Sequence, residues 1–320
     1  MKDMIHIPEP RLDFLETVFH PKKRTEATMD FVDLPGSAEG DVEKAGLEKH
    51  LPTLRQADGL ALILRNFESG SVPTPAGGIN PERDLAQLRE EMLIADFAIC
   101  AGRVEKLEKA INKPTKERDQ QKHELEVLQR CQKALEDEKP LSTVIKPGEE
   151  EKMLRSFGFL TQKPLLVIIN ADEDHAGAAP TFQADHAAAT LSVCASVEAD
   201  LIAMDKADRP AFMKDYGIQA LARDRIVRTS FDALGMIFML TAGPEEVRAW
   251  PLVKGMTAVD AAGKIHTDLA RGFIKAETMA FEDLRKLGSV REVKAQNRLR
   301  MEPKGYVVQD GDIITIKFAV

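Results

Sequence analysis

The sequence of 320 residues predicts an α/β fold with an inserted pair of helices and a small C-terminal domain. Three observations lead to this prediction. Short apolar or β-branched runs alternate with helical or polar stretches, a charged segment with helical periodicity interrupts them, and strand-like pieces dominate the C-terminal part. The composition agrees, because 43% hydrophobic and 30% charged residues are typical of a globular protein rather than a disordered one.

Four short runs are the predicted strands of the α/β domain. They are Phe31–Val32, Leu60–Leu64, Leu165–Ile169 and Thr190–Cys194. Their separation by helical or polar stretches is typical of a mostly parallel sheet that is covered by helices. We assign residues 1–83 and 140–235 to this domain.

The insertion is predicted to be an antiparallel helical hairpin that spans residues 84–139. Apolar side chains recur at spacings of three and four, which is typical of a coiled-coil-like seam: Leu85, Leu88, Met92, Ala95 and Ile99. The segment Asn112–Thr115 divides the two helices, and the leucine pattern resumes beyond it. Pro140 and the pair Pro147–Gly148 end the hairpin and lead back to the sheet.

Residues 236–320 are predicted to form a β-grasp-like domain, in which several strands surround one helix. The strand candidates are Phe238–Thr241, Glu246–Trp250, Phe273–Ala280 and Ile313–Phe318. Ala258–Ile265 suits the helix. Gln309–Asp312 supplies a tight turn before the last strand, because glycine adopts positive φ and aspartate bonds the turn backbone.

The composition and the N-terminus predict a cytoplasmic protein. No run of about 18 apolar residues occurs, and the first residues lack the apolar core of a signal peptide. Cys100, Cys131 and Cys194 are too few and too scattered for a disulfide framework or a zinc site. The net charge of -8 argues against a protein that is generally coated with nucleic acid, although it allows a local basic patch.

Two motifs that follow predicted strands are typical of GTPases. Asp33–Gly36 reads Asp-Leu-Pro-Gly, and Asn170–Glu173 reads Asn-Ala-Asp-Glu. In P-loop nucleotidases the first position senses the γ-phosphate and Mg²⁺, and the second reads the base. ATP or GTP with Mg²⁺ is therefore the ligand that this pair indicates.

The loop that would hold the phosphates is missing from the sequence. The pattern G-x-x-x-x-G-K-[ST] requires a hydroxyl residue after its Gly-Lys pair, but Gly263–Lys264 is followed by Ile265, and Ala258 occupies the position of the first glycine. A phosphate loop supplies backbone N–H groups, a lysine and an Mg²⁺-binding hydroxyl. We therefore expect weak nucleotide affinity and hydrolysis at or near zero, and we assign no catalytic residue and no metal site.

Taken together, these residues resemble the YchF/Obg-like ATPase family, a branch of the translation-factor GTPases. The likeness covers essentially the whole chain. The stretches that look like the family's C-terminal TGS domain are Thr241–Trp250, Ala261–Asp268, Arg271–Ile274 and Tyr306–Ile314, and the upstream stretches include Pro8–Asp13, Pro21–Lys23 and Leu54–Asp58. The resemblance implies that the first strand, the P-loop, the first helix and switch I of the family precede the segment with which this chain begins.

The resemblance also implies the roles of a vestigial nucleotide site. Asp33 and Gly36 occupy the switch II position, and Glu173 stands where guanine-binding proteins have aspartate, which implies a preference for adenine. The base-side loop would be Cys194, Ala195 and Ser196, where the family usually has serine first and lysine third, so both ends are changed. The alternative is that these residues, together with Asn170, only cap strands and form turns.

A stretch near the C-terminus is locally basic. Its cations are Arg285, Lys286, Arg291, Lys294, Arg298, Arg300 and Lys304. Only Glu292 and Glu302 oppose them in the same stretch, so the cations could contact the phosphates of ribosomal or other RNA. A solvated loop is the alternative. Tyr306 is the one nearby aromatic residue, so recognition of a specific RNA or DNA sequence is not predicted.

Three functions remain open from the sequence. The first is a degenerate YchF-like binding module that associates with the ribosome or RNA through the hairpin and the TGS-like domain. The second is an adenine or guanine nucleotide-binding ATPase or GTPase whose P-loop segment is absent through truncation or a misassigned start. The third is a structural or dimeric protein.

The family's strand order has a consequence for the sheet. In that order the first strand lies between the strands that carry Asp33 and Leu60–Leu64. Without it, we expect these two strands to pair directly, since an open gap would leave backbone groups unpaired. The alternative is a strand borrowed from another molecule, which would give a homodimer.

Overall fold

The computed structural model describes residues 2–35, 47–75 and 77–319. Its strands are β1 Lys2–His6, β2 Lys23–Thr25, β3 Thr28–Val32, β4 Leu60–Asn66, β5 Leu165–Ala171, β6 Ala189–Val193, β7 Met236–Ala242, β8 Glu246–Val253, β9 Phe273–Ala280, β10 Arg300–Glu302 and β11 Asp312–Phe318. Its α-helices are α1 Arg11–Phe19, α2 Leu51–Gln56, α3 Pro81–Ala110, α4 Arg118–Glu136, α5 Glu149–Leu154, α6 Ala195–Ala203, α7 Arg209–Asp215, α8 Ala222–Ala233, α9 Ala258–Ile265, α10 Thr267–Arg271, α11 Phe281–Leu287 and α12 Val290–Ala295. None of the helices in these ranges is long and apolar enough to cross a membrane.

The chain divides into two compact units. One contains residues 1–33 and 223–320, and the other contains residues 34–222. This division differs from the predicted domain boundaries, because residues 1–33 and 223–235 group with the C-terminal part instead of with the α/β domain. The reason is strand pairing, since β2 lies beside β8 in parallel, with Lys23 opposite Glu246.

The unit of residues 34–222 is built on a parallel sheet with the strand order β4-β5-β6. Leu60 lies opposite Leu165, and Leu166 lies opposite Ala189. These three predicted strands are confirmed. Because strands β4 and β5 also pack against α3, the central strand β5 is almost completely buried, as its continuous apolar sequence indicates.

The pairing that we expected between β3 and β4 is wrong for the described residues. β3 pairs antiparallel with β1 over its full length, from Lys2 opposite Val32 to His6 opposite Thr28. The sequence analysis did not identify β1, because its residues are mostly polar and exposed and show no apolar alternation. An N-terminal strand of the same chain thus pairs with one edge of β3, and β4 pairs with β5 instead.

The helical hairpin is present as α3 and α4, joined by a turn at residues 111–117. Asn80 caps α3 by accepting the backbone N–H of Arg83 at 3.0 Å. The two helices share a buried apolar cluster, in which the Cys100 thiol donates to the carbonyl of Leu128 at 3.2 Å. Burial raises the pKa of Cys100 to about 12.

A buried carboxylate fixes α3 to the loop before β5. Asp96 is 0% exposed and accepts the backbone N–H groups of Leu160 at 2.9 Å and Thr161 at 2.8 Å. It also accepts the Thr161 hydroxyl at 2.8 Å and the Arg55 guanidinium at 3.2 Å. Burial raises the pKa of Asp96, and these donors oppose that rise.

Arg55 extends this junction to helix α2. Its guanidinium donates to the carbonyls of Ala95 at 3.1 Å and Gly158 at 3.2 Å. Lys163 donates in turn to the carbonyl of Arg55 at 2.9 Å. The backbones approach closely here, because a Cβ atom on Gly158 would lie 2.8 Å from the Arg55 carbonyl oxygen. The side chain of Asp96 therefore lies where α2, α3 and the loop before β5 meet.

The other unit contains a mixed sheet with the strand order β10-β9-β11-β7-β8-β2. Both faces of this sheet are buried. One face packs with α1, α8, α11 and α12, and the other packs with α9 and α10. The predicted strands of the C-terminal part and the predicted helix Ala258–Ile265 are confirmed, and Thr257 and Asp260 form a capping box at the start of that helix.

Candidate functional site

The predicted base-side residues come together at one end of the parallel sheet. Asn170 lies near the end of β5, and its side-chain oxygen accepts the backbone N–H of Ala195 at 3.0 Å. Ala195 is the first residue of α6, directly after β6 and Cys194. Because β5 and β6 are parallel, their carboxyl ends meet at the same edge, where α/β proteins commonly bind ligands. The structure thus brings Asn170 and the loop Cys194–Ser196 together.

Within the loop Cys194–Ser196, only some of the side chains are exposed to solvent. Cys194 is 2% exposed and packs with Val197 and Leu201, whereas Ser196 is exposed. The Cys194 sulfur and the Ser196 hydroxyl lie 3.2 Å apart. The loop can therefore offer a ligand its exposed backbone and the Ser196 hydroxyl, but not the cysteine thiol.

The turn after Asn170 is organised by a pair of residues that the sequence analysis missed. One carboxylate oxygen of Asp172 accepts the backbone N–H of His175 at 3.1 Å and lies 2.5 Å from its Nδ1 atom. This pair encloses Glu173, which begins a short 3-10 helix and is exposed. The signal that could have identified it is an aspartate followed three residues later by a histidine at a strand end.

The electrostatics of this turn follow from the same contact. The hydrogen bond to His175 lowers the pKa of Asp172, and the hydrogen bond to Asp172 raises the pKa of His175. The side chain of His175 is exposed, and that of Asp172 is half-buried. Protonated His175 would place one positive charge beside the carboxylate of Asp172 and close to that of Asp174.

The switch II residues lie elsewhere in the chain. Asp33 follows β3 directly and belongs to the unit that contains residues 223–320, whereas Asn170 belongs to the unit of residues 34–222. Gly36 lies outside the described residues. Within the described ranges, no group of three or more histidine, cysteine, aspartate or glutamate side chains is arranged to hold a metal ion.

The seven cations of the basic stretch lie on α11, α12, β10 and their connections, and all seven are exposed. Two of them form ion pairs. Arg285 lies 2.6 Å from a carboxylate oxygen of Glu282, and Arg300 lies 3.5 Å from carboxylate oxygens of both Glu302 and Asp312. In the described part of the chain, the other five form no ion pair.

Arg300 is also held by Tyr306. The tyrosine hydroxyl donates to Asp312 at 2.7 Å, and the Arg300 guanidinium lies 5.4 Å from the centre of the tyrosine ring. Burial and the hydrogen bond to Asp312 raise the pKa of Tyr306 to about 12. The aromatic ring of Tyr306, close to the basic stretch, is therefore engaged within the protein.

Comparison with known proteins identifies the relatives of this chain. A family model named YchF-GTPase_C, described as a protein of unknown function (DUF933), matches residues 236–319. The ribosome-binding ATPase YchF of Bacillus subtilis (strain 168) is 33% identical over 329 residues, which cover 99% of this chain and 88% of that protein. The Obg-like ATPase 1 of Oryza sativa subsp. japonica is 33% identical over 328 residues, with 99% of this chain and 82% of that protein covered.

Solved structures agree with this relationship at the level of the fold. The YchF GTPase of Schizosaccharomyces pombe matches 99% of this chain and 87% of its own, with a TM-score of 0.85 and 24% identity. A GTP-binding protein from Pyrococcus horikoshii OT3 matches 100% of this chain and 92% of its own, with a TM-score of 0.56 and 18% identity. The α/β sheets and these likenesses fit a P-loop G-domain fold. On the identity over nearly its full length, this chain belongs to the YchF family.

Proposed function

We propose that this protein is a ribosome-associated or RNA-associated binding protein of the YchF family, located in the cytoplasm, with little or no nucleotide hydrolysis of its own. The observation that carries the proposal is the 33% identity, over 99% of the chain, to proteins named ribosome-binding ATPase YchF. Of the two properties in that name, hydrolysis of ATP is the one whose chemistry depends on a phosphate loop.

The base side of a nucleotide site supports a residual binding function. The hydrogen bond from Ala195 to Asn170 joins the two loops that would flank a base. The resemblance to the family implies that Glu173, in place of aspartate, removes the fit to guanine and favours adenine. Because Cys194 is buried, the loop after β6 would contribute its backbone and the Ser196 hydroxyl to such a site.

Nucleotide hydrolysis requires more than contacts with the base, because phosphoryl transfer depends on positioned charges around the phosphates. The 320 residues contain no G-x-x-x-x-G-K-[ST] sequence, and Asp33 would act only on a phosphate or Mg²⁺ that another group already holds. Base contacts alone should give weak affinity. We therefore propose that the chain binds adenine nucleotide weakly and does not turn it over at a useful rate.

Two parts of the chain are the proposed contacts with the ribosome. The first is the hairpin of residues 84–139, which exposes Lys113 and Lys116 in its turn and Arg118 at the start of α4. The second is the domain of residues 236–320, for which we propose a TGS-like β-grasp identity. The ribosome is a large polyanion, so exposed cations on both parts favour association.

The test combines sedimentation and calorimetry. Purified protein is pelleted with ribosomes in the absence of nucleotide, and ATP and GTP are titrated into it with Mg²⁺. We expect the protein to pellet and the titrations to give weak binding or none. Micromolar binding with turnover, and no protein in the ribosome pellet, would reject the proposal. The variant Asn170→Ala is the control, since it should pellet as well as the unaltered chain.

The second candidate is an adenine nucleotide ATPase. The relatives at 33% identity are named ATPases, and the alignments cover 88% of the Bacillus subtilis protein. Steady-state release of phosphate from Mg²⁺-ATP separates the two functions. Turnover that is lost in Asn170→Ala, while ribosome pelleting is kept, would establish the ATPase.

A further inference from the structure

We infer that the protein forms a homodimer through one edge of strand β4. We call this the free edge and define it by the three residues of β4 whose backbone groups point away from β5: Ala61, Ile63 and Arg65. In the dimer, the free edges of two copies pair antiparallel about a two-fold axis at Ile63. The three-stranded sheets of the two copies then join into one continuous sheet. This dimer adds to the proposed function and does not depend on it.

The backbone groups of the free edge have no hydrogen-bonding partner in the described part of the chain. β4 pairs with β5 alone, and its pairing begins where the N–H of Leu60 donates to the carbonyl of Pro164 at 2.9 Å. In a parallel pair, alternate residues of one strand bond to the same neighbour. Leu60 and every second residue after it therefore bond to β5, whereas the N–H and C=O groups of Ala61, Ile63 and Arg65 point away from it. Each of these three residues thus keeps a donor and an acceptor for another strand.

An apolar side chain lies beside these unpaired backbone groups. Ile63 is 68% exposed, whereas Ile168, which lies opposite it on β5, is 4% exposed. The other face of β4 is different, because Leu60 and Leu64 pack in the cluster around the parallel sheet. Strands of parallel sheets are usually covered on both faces. The exposure of Ile63 therefore marks a position where a further strand would bury apolar surface.

Strand β4 lacks the features that usually protect an edge strand from pairing, which are lysine, proline, a bulge or short length. It contains seven residues and pairs with β5 without a register shift. Its one charged residue is Arg65, whose guanidinium is engaged by the loop that follows. The guanidinium donates to the carbonyls of Phe67 at 3.0 Å, Val72 at 3.1 Å and Pro73 at 2.7 Å. This charge therefore stays with its own loop and does not block the free edge.

A second copy suits the free edge because the edge is self-complementary. With the two Ile63 residues opposite each other at the two-fold axis, Ala61 of each copy lies opposite Arg65 of the second. Outward-pointing residues thus meet only outward-pointing residues, and each such pair exchanges both of its hydrogen bonds. No N–H or C=O group of the free edge is left unpaired. The small Ala61 leaves room for the longer side chain opposite, and the two arginines lie about 14 Å apart along the strands.

The first experiment compares two single variants of the full chain by sedimentation equilibrium over a series of protein concentrations. Ile63→Lys places two like charges directly opposite each other at the axis. Ile94→Lys is the matched control, since Ile94 is 62% exposed on α3 of the same unit. We expect Ile63→Lys to raise the dissociation constant of the dimer at least about a hundredfold, because facing like charges are strongly unfavourable. The control should dimerise like the unaltered chain.

A second variant tests the backbone of the free edge. Ala61→Pro removes an N–H group that points away from β5, so the pairing of β4 with β5 keeps all its hydrogen bonds. Circular dichroism should therefore show an unaltered fold. We expect the dissociation constant to rise at least about tenfold, because a donor is lost from each copy. This variant decides the matter where Ile63→Lys does not fold.

Cysteine cross-linking tests the predicted register. The native Cys100, Cys131 and Cys194 are buried, so a cysteine introduced at an exposed position is the one that reacts. Directly opposite residues of an antiparallel pair have Cα atoms about 5.5 Å apart, within the usual span of a disulfide. We expect mild oxidation to join Ile63→Cys into a covalent dimer at least about tenfold faster than Ile94→Cys, since dimerisation raises the local thiol concentration.

The outcomes are distinguishable from those of the proposed function. An unaltered chain that stays monomeric at every concentration would overturn the inference, and so would a dimer that Ile63→Lys and Ala61→Pro leave intact. Equal weakening by Ile63→Lys and Ile94→Lys would place the interface elsewhere and would also reject it. A monomer that pellets with ribosomes would leave the proposed function standing. A dimer that responds as expected but does not pellet would reject the proposed function and retain the dimer.

Discussion

At the scale of single residues, Asp96 is an acid whose carboxylate depends on hydrogen bonds within the protein. It is fully buried, and its two carboxylate oxygens are satisfied by two backbone N–H groups, one hydroxyl and one guanidinium. A buried charge is tolerated only when it is paired and fully hydrogen-bonded. The loss of Asp96 would leave these donors buried without an acceptor.

We therefore predict that Asp96→Ala lowers the free energy of unfolding by about 3–5 kcal/mol, the usual cost of breaking a buried pair. Urea unfolding monitored by circular dichroism measures the change. The matched control is Glu90→Ala, an exposed acid on the same helix, which should change stability by less than about 0.5 kcal/mol. Equal, small effects of the two substitutions would show that the hydrogen bonds at Asp96 contribute little.

A second residue with a measurable role is Asp310, which the sequence predicts only as part of a turn. It accepts the backbone N–H of Phe238 at 2.9 Å, and the Arg11 guanidinium lies 2.8 Å from its other oxygen. Burial opposes the ionisation of Asp310, but Arg11 and the Phe238 N–H outweigh it and hold its pKa below the ordinary value. The contribution of Asp310 should therefore depend on pH.

The lowered pKa determines in which direction the contribution of Asp310 to stability changes with pH. A carboxyl whose pKa is lower in the folded state contributes stability above its ordinary pKa of about 4, and loses it as the pH falls through the folded value. We predict that Asp310→Asn is less stable than the unaltered chain by about 0.5–1 kcal/mol at pH 7, since solvent screens the half-exposed carboxylate, and that the difference shrinks in acid. Urea midpoints at both pH values provide the measurement, and a difference that grows toward acid would contradict the prediction.

At the scale of elements, the hairpin depends on the packing of α3 against α4. Leu128 is 0% exposed within the cluster that also contains Cys100 and Leu107. Truncation of a fully buried leucine removes its contacts and leaves a cavity. Alanine has a helical propensity as high as that of leucine, so the loss of stability in the alanine variant reports on side-chain packing.

We predict that Leu128→Ala destabilises the protein by about 2–5 kcal/mol. Amide hydrogen exchange should accelerate in α4 and in the facing part of α3. Glu126→Ala, at an exposed position of the same helix, is the control and should leave both stability and exchange nearly unchanged. Exchange in α4 that does not respond to Leu128→Ala would indicate that the helices are held by other contacts.

Some elements could be predicted because their signals are local. β5 is a continuous apolar run, and α9 begins with the Thr257–Asp260 capping box, so neither depends on distant residues for its identity. β2 is different. It is a polar strand of three residues, and its partner in the sheet, Glu246–Arg248, lies more than 200 residues away in the sequence. Short-range periodicity contains no information about such a pairing.

The same distinction applies to the candidate sites. That Asn170 approaches the loop after β6 follows from the parallel order of β5 and β6, because the carboxyl ends of parallel strands share an edge. The pairing of Asp172 with His175, and the ion pairs of Arg285 and Arg300, depend on side-chain geometry. The sequence therefore identifies the cations of the basic stretch but does not separate the paired from the unpaired ones.

At the scale of the whole molecule, each compact unit has hydrophobic clusters of its own. The unit of residues 34–222 is one continuous segment, and its clusters lie in the hairpin, around the parallel sheet and beneath α6. The other unit is made of two segments, which are joined by the pairing of β2 with β8. A continuous unit with its own core can fold alone.

We predict that the isolated fragment of residues 34–222 is folded. It should unfold cooperatively in urea and give a dispersed amide spectrum in nuclear magnetic resonance. The fragment of residues 223–320 is the comparison, and it should be less stable than in the full chain, since it lacks β2 and α1. A fragment of residues 34–222 with a collapsed spectrum would contradict the assignment of an independent core.

The position of Asp96 within α3 has a mechanical consequence. The helix contains 30 residues, and Asp96 lies near its middle. From Asp96 to Ala110 the helix extends about 21 Å, so a rotation of about 3° at the carboxylate displaces the far end by about 1 Å. Small rotations of α3 about Asp96 therefore produce much larger displacements at the turn of the hairpin.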